Sequence, residues 1–404
     1  MAATGPLSGL KVIELAHIMA GPVCGQLLAD MGADVIKVEK VPGGDDTRRM
    51  VPPEIDGESA AFMILNRNKR GAAINLKSAA GKAVLQKLLG AADVVIENFR
   101  VGTMERLGLG YDSLHELNPG LIYCQITGFG RSGPYADRAG FDLIAQGMSG
   151  LMSVTGEGPG HPPIKAGVPV GDISAGMLAA MGILAAYIHR LKTGSGQLVD
   201  TSLLEASIVN TAWVSAIFLA TGISPGALGS AHQLAAPYQA LETRDGWVNV
   251  GAANQANWLR LVEVIEQPEL AADPRFVDNS ARMQNLPALI AILTQSFRQH
   301  TTADWLTRLQ AVGLPAGPVL SIGDMLKDPQ VLAREMVVEV EHSRLGKTRA
   351  LGAPVKFSAT PTNIGRGAPL LGEHTREILA DLGYSDTEID ALVAAGHVVS
   401  HGDS

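Results

Sequence analysis

The feature that most constrains this chain is the close alternation of strand-like and helix-like segments near its start. Residues 10–15 form a short apolar run, residues 21–31 carry helical spacing, and residues 34–38 are again apolar. Two strands joined through one intervening helix form a crossover, so they lie parallel. The pattern continues with a strand over 72–76, a helix over 79–89, and strands over Val94–Glu97 and 121–127. Aliphatic and β-branched runs of this kind suit parallel strands buried on both faces. The expectation is an α/β fold, doubly wound around a parallel sheet.

Further along, helices are expected over 173–191 and 201–219, and the Gly-, Ser- and Pro-rich residues 222–229 read as a linker. A strand over 246–250 and helices over 257–265 and 302–312 suggest a smaller α+β domain. Strand signals return at 337–340 and 353–357. Helices over 373–382 and 386–395 follow, the last opened by a capping box of Ser385 and Glu388. At 404 residues the chain exceeds one ordinary core. The expected division is a large domain whose N-terminal part is 1–224, a small domain over 225–330, and a segment over 331–404 that returns to the large domain.

Composition excludes several classes. Apolar residues make up 46% and charged residues 18%, a globular balance rather than a disordered one. The net charge is −8 and no Lys/Arg stripe occurs, which argues against nucleic-acid binding. Cys24 and Cys124 lie in apolar surroundings and form no metal or disulfide framework, so a reducing cytoplasm is the expected compartment. The first ten residues show no secretory pattern. The most apolar stretch, 176–188, is shorter than the ~20 residues a membrane span needs, and reads as a buried helix.

The turn after the first strand, residues 16–25, is neither a G-x-G-x-x-G fingerprint nor a Walker loop. Its plain reading is a Gly21-Pro22 helix start, although α/β folds bind ligands where strand ends meet helix N-termini. No zinc spacing and no G-x-S-x-G elbow occurs. His17 alone in a turn reads as structural. Asp172 stands before the long helical pattern in uncharged surroundings. Its plain reading is a helix N-cap. The functional reading uses the same physics: helix N–H groups and the dipole would hold an ionised carboxylate, available as a nucleophile.

Taken in order, several motifs resemble the class III CoA-transferases, typified by formyl-CoA and carnitine CoA-transferases. They are Leu10-Lys11-Val12-Ile13-Glu14-Leu15 with Ala20-Gly21-Pro22, Gly32-Ala33-Asp34-Val35-Ile36-Lys37-Val38-Glu39, Asn66-Arg67-Asn68-Lys69-Arg70, Asn75-Leu76-Lys77, Glu97-Asn98-Phe99-Arg100, Gly171-Asp172 and Leu371-Gly372-Glu373-His374-Thr375. The resemblance runs nearly end to end. It implies a Rossmann-like large domain, a small domain and an interlocked homodimer. It also implies Asp172 as the catalytic aspartate, with His17, Ile18, Met19 and Ala20 lining the coenzyme A site. Lys40 falls at a basic position near the nucleotide, Ile74 and Lys77 at adenine and phosphate contacts, and Asn98, Phe99 and Arg106 at further contacts. Arg138 lies near a lysine contact of the family. Leu107 and Leu203 stand where some relatives have methionines. The resemblance implies coenzyme A as a substrate, no tightly bound cofactor and no metal.

The same fold hosts α-methylacyl-CoA racemases, which use a His/Asp acid–base pair and a Glu. Here Phe141 stands at the histidine position and Gln239 at the glutamate position, so neither proton-transfer group is present. Transfer is therefore preferred over racemisation, and the retention of Asp172 argues against an inactive acyl-CoA-binding protein. The glycine-run loop of formyl-CoA transferase is replaced by Gln233-Leu234-Ala235-Ala236-Pro237-Tyr238, and Met19 replaces a glutamine, which turns the expectation from oxalate toward a larger dicarboxylate with succinyl-CoA as donor. Arg48, Arg49, Arg67 and Arg70 are the candidate cations for a distal carboxylate.

Overall fold

The computed structural model describes residues 5–402. Six parallel strands, β1 (Lys11–Glu14), β2 (Asp34–Lys40), β3 (Arg70–Ile74), β4 (Val94–Glu97), β5 (Ile122–Thr127) and β6 (Leu198–Ser202), lie in the order β3-β2-β1-β4-β5-β6. The short strand Val398–Val399 adds to the β3 edge antiparallel, pairing Val398 with Ile74. The order reverses between β1 and β4, as in dinucleotide-binding α/β sheets.

Side chains alternate across the sheet and divide into two cores. Val12, Val35, Val94, Ile122 and Cys124 pack on one face with helices α1 (Ala20–Asp30) and, later in the chain, Val170–Thr193. Ile13, Ile36, Val38, Val95 and Tyr123 pack on the other with α2 (Ala79–Gly90) and the helices Thr375–Asp381 and Asp386–Ala394. The last of these starts on the expected Ser385/Glu388 capping box. With α3 (Asp142–Met148) preceding it, the long helix Val170–Thr193 is α4, and Leu203–Asn210 is α5.

At 24 residues, α4 is longer than the apolar stretch singled out above, and by length and composition alone it is long enough to cross a membrane. Its small residues Ala175, Ala179, Ala180 and Ala186 are buried against the sheet and α1, which makes it a core helix. A Cβ on Gly176 would lie 2.6 Å from the Ala20 carbonyl oxygen, so glycine sets the close approach of α4 to α1.

Two compact units emerge. The first comprises the residues through Ser149, Gly167–Asn210, and those from Pro329; the second comprises Gly150–Ala166 and Thr211–Asp328. The expected boundary at 224/225 thus falls at Asn210/Thr211. Residues 150–166 join the second unit, where the Gly229 N–H donates to the Gly156 carbonyl at 2.8 Å. That unit holds a three-stranded antiparallel sheet of Tyr238–Glu242, Trp247–Gly251 and Ala316–Pro318, packed on Trp258, Phe276, Phe297 and Trp305.

Two local expectations differ from the structure. The helix expected over 201–219 is strand β6, then α5, then a separate helix Ala212–Thr221. Ser202 accepts the Glu205 N–H at 3.1 Å and starts α5 there, so the residues before it are free to pair with β5. Residues 353–357 form no strand; Val337–His342 pairs instead with Gly346–Leu351. Pro354 lacks the N–H that a ladder position requires.

Candidate active site

The carboxyl ends of β1, β4 and β5 open onto one cavity of about 240 Å³. His17, Ile18, Met19 and Ala20 enter it from the β1–α1 turn, Asn98 from the end of β4, and Ile126, Thr127 and Gly128 from the end of β5. Gly140 and Phe141 come from the segment before α3, Asp172 from the first turn of α4, and Leu203 from α5. This is the point where the strand order reverses, the usual ligand crevice of such sheets.

The β1–α1 turn is held rigidly. His17 N–H donates to Asn98 Oδ1 at 2.9 Å, and Asn98 Nδ2 returns a bond to the His17 carbonyl at 2.8 Å. Phe99 packs edge-on against the His17 ring at 5.1 Å. Burial and the neighbouring Lys37 ammonium lower the His17 pKa, so its imidazole is neutral near pH 7.

Asp172 does not cap α4, which corrects the plain reading made from sequence. It is the third residue of the helix, and the cap is supplied by Asp142. Asp142 Oδ1 accepts the Gly171 N–H at 2.8 Å and the Asp172 N–H at 3.4 Å, while Gln146 Nε2 donates to Oδ2 at 2.6 Å. Among the described residues, none donates a hydrogen bond to the Asp172 carboxylate. Burial, reinforced by the Asp142 charge, pushes its pKa up to about 7. The expectation that helix N–H groups hold Asp172 fully ionised is therefore reversed: Asp142 takes those donors. A carboxylate of raised pKa is more basic when ionised, and for that reason a stronger nucleophile.

Asp46 is the other carboxylate on the cavity wall. It is tied to Lys40 at 2.8 Å and to Arg49. Lys40 therefore stands behind a wall residue, half-exposed, at the end of β2. Ile74 is its register partner on β3, with its side chain buried in the core. Lys77, Arg106 and Arg138 are exposed outside the cavity; Arg106 bonds Thr103 Oγ1 at 2.9 Å, and Arg138 stacks on Tyr135 at 3.8 Å. Leu203 reaches the cavity and Leu107 packs at the edge of the core.

The candidate arginines are already engaged: Arg67 with Asp30 at 2.6 Å, Arg70 with Asp34, Glu377 and Asp381, Arg48 with Glu39 at 2.7 Å, and Arg49 with Asp46. Sequence reasoning missed Asp142, which lies 28 residues before the helix it caps. It also missed the buried charges behind the turn. Their visible signal was Lys37 and Glu39 set inside an otherwise apolar strand.

The α/β unit thus presents an unpartnered carboxylate, among the described residues, to a crevice at the sheet's reversal point. Comparison with known proteins gives the family. The model of CoA-transferase family III matches residues 7–375. The succinate–glutarate CoA-transferase of Agrobacterium fabrum is 43% identical over 93% of this chain and 96% of its own length. The human succinyl-CoA:glutarate CoA-transferase is 37% identical over 98% of this chain and 90% of its own length. The crystal structure of a CAIB/BAIF family protein from Brucella suis superposes with a TM-score of 0.84 at 42% identity, over 94% of this chain and all of that one. The chain belongs to CoA-transferase family III and is a CoA-transferase, an enzyme that takes CoA thioesters as substrates.

Proposed function

We propose that the enzyme moves coenzyme A from succinyl-CoA to a second dicarboxylic acid, glutarate being the leading acceptor, with Asp172 as covalent nucleophile in a Rossmann-like large domain. The observation that carries the nucleophile is the contrast on the cavity wall. Asp46 is neutralised by Lys40 and Arg49, whereas Asp172 is free to react. The names of the relatives support the acids.

In this mechanism the Asp172 carboxylate attacks the thioester carbonyl, and the C–S bond breaks to release CoA thiolate. The product is a mixed anhydride of Asp172 and the donor acid. The thiolate attacks the aspartyl carbonyl, expels the donor carboxylate and leaves an aspartyl-CoA thioester. The acceptor carboxylate then attacks that thioester and releases the thiolate. Attack of the thiolate on the acceptor carbonyl of the second anhydride frees the product and restores Asp172. Thioester energy is conserved throughout, provided that water is excluded from the anhydrides. Phe141 at the cavity wall has no proton to exchange, which disfavours racemisation there.

We further propose a cytoplasmic homodimer. Apolar side chains of α4 that face away from its core, Met181 at 62% and Leu191 at 68% exposure, support a partner surface, and the two buried thiols suit a reducing compartment. The decisive experiment is a matrix of acyl-CoA donors against carboxylic acids read by mass spectrometry, with hydroxylamine trapping during turnover. Label on Asp172 supports the mechanism; label on another residue, or full activity in Asp172→Ala, sinks it.

A further inference from the structure

A chain of buried charges lies directly behind the β1–α1 turn, and the mechanism above makes no use of it. Lys37 Nζ bonds Glu14 Oε1 at 3.0 Å and Asp45 Oδ2 at 2.8 Å, and Lys69 Nζ reaches Glu14 Oε2 at 2.7 Å. Glu39 accepts the Asp45 N–H at 2.9 Å and both arms of Arg48 at 2.7 Å. Glu14, Lys37, Asp45 and Lys69 are each wholly buried. Three acids face three bases, so the network is neutral. A Cβ on Gly25 would lie 1.9 Å from Glu14 Oε2, so a glycine in α1 makes room for it.

Three members of the inner chain, Lys37, Lys69 and Asp45, also grip backbone of the turn or of the helix it starts. Lys37 Nζ donates to the Ala16 carbonyl at 3.0 Å, and Lys69 Nζ to the Pro22 carbonyl at 2.9 Å. Asp45 accepts the Ile18 N–H at 3.2 Å and is itself fixed by the Thr47 N–H and Oγ1, each at 2.9 Å. Ile18 sits at φ +65°, a left-handed conformation that a β-branched residue avoids. Its side chain nevertheless stands in the cavity beside Asp172. Something must hold that backbone, and the Asp45 carboxylate is the group bonded to it.

We propose that Asp45, anchored by Lys37, is a positioning residue for the acyl-CoA site: it holds Ile18 left-handed and so fixes the turn from His17 to Ala20 in its ligand-binding shape. The proposal rests on the reading of that turn as part of the coenzyme A site. Asp45 and Lys37 touch no substrate, being wholly buried; they act through the backbone of the turn. The ion pairing also lowers the Asp45 pKa and raises that of Lys37, which keeps both charged.

The test is CoA affinity, measured by calorimetry, together with steady-state kinetics on succinyl-CoA and glutarate. Asp45→Asn keeps the size of the side chain and removes its charge. The Kd for CoA is expected to rise about tenfold or more, with a smaller change in kcat at saturation, because losing one buried charge-assisted anchor is worth at least that factor. In an Ile18→Gly background, where glycine adopts the left-handed backbone unaided, the same substitution should cost less than about threefold. Asp30→Asn, which breaks the separate buried pair with Arg67, should lower Tm and leave the Kd unchanged.

An unchanged Kd in Asp45→Asn overturns the proposal, as does an equal cost in both backgrounds. If Asp45→Asn does not fold, Thr47→Val loosens the same carboxylate. A rise of about threefold in Kd supports the proposal, and no change sinks it. Wild-type enzyme that binds CoA yet passes it to no carboxylic acid would sink the proposed function alone, since the readout here is affinity.

Discussion

Two aspartates, one on the crevice wall and one buried behind its first turn, are held in opposite ways. Asp45 has three donors and a buried ammonium around it, and its pKa is driven down. Asp172 has no donor among the described residues and a second carboxylate beside it, and its pKa is driven up to about 7. The first environment stabilises a shape and the second stores reactivity. The molecule places its donors accordingly: the N–H groups at the start of α4 go to Asp142, not to the carboxylate of Asp172, the proposed nucleophile.

The comparison breaks most visibly at Asp172. Asp172→Asn should lower transfer by roughly 10³-fold or more while CoA still binds, as removal of a covalent nucleophile does. On the other side, Lys37→Met leaves Glu14 and Asp45 buried without their shared cation. That should destabilise the fold by about 3–5 kcal/mol, read as a shifted denaturation midpoint. A stability gain is expected in Asp172→Asn. The native carboxyl holds its proton up to about 7, whereas in the unfolded chain it ionises near 4, so Asp172 weighs against the fold increasingly as pH rises between those values. The variant should be more stable than wild type by roughly 1–3 kcal/mol at pH 8 and equal to it below pH 4, after allowance for partial solvent screening. Asp45 gives the opposite slope: its stabilisation is complete above its unfolded pKa and is lost as pH falls through its lowered native value. The smallest effect is kinetic. In wild type kcat/KM should rise with pH and level off above about 7, because only ionised Asp172 attacks; a flat profile from pH 5 to 8 would detach the raised pKa from the chemistry.

Sequence showed the frame better than the site. The parallel strands were legible because both their faces are buried, which leaves aliphatic runs such as Val94–Glu97. Asp172 and the turn from His17 to Ala20 were legible through motifs, and the structure brings both to one cavity. The cap on α4 was not legible, since Asp142 reaches it across 28 residues of chain. The charge network was half visible: Lys37 and Glu39 interrupt an apolar strand, but their partners Glu14, Asp45 and Arg48 lie on two other segments. The start of α5 was misread because the helical reading began at Thr201, inside the Leu198–Ser202 strand, whereas Ser202 accepts the first helical N–H.

The pairing of Val398 and Val399 with Ile74 and Ala73 has a consequence for synthesis. On the ribosome, the second unit is fully translated by Asp328, whereas the first still lacks its segment from Pro329 onward. The β3 edge and the face of the sheet beneath Ile378 and Ile389 thus stay without these partners until residues 375–399 have been made. The order of assembly is the reverse of the order of translation: the unit begun first is the one finished last.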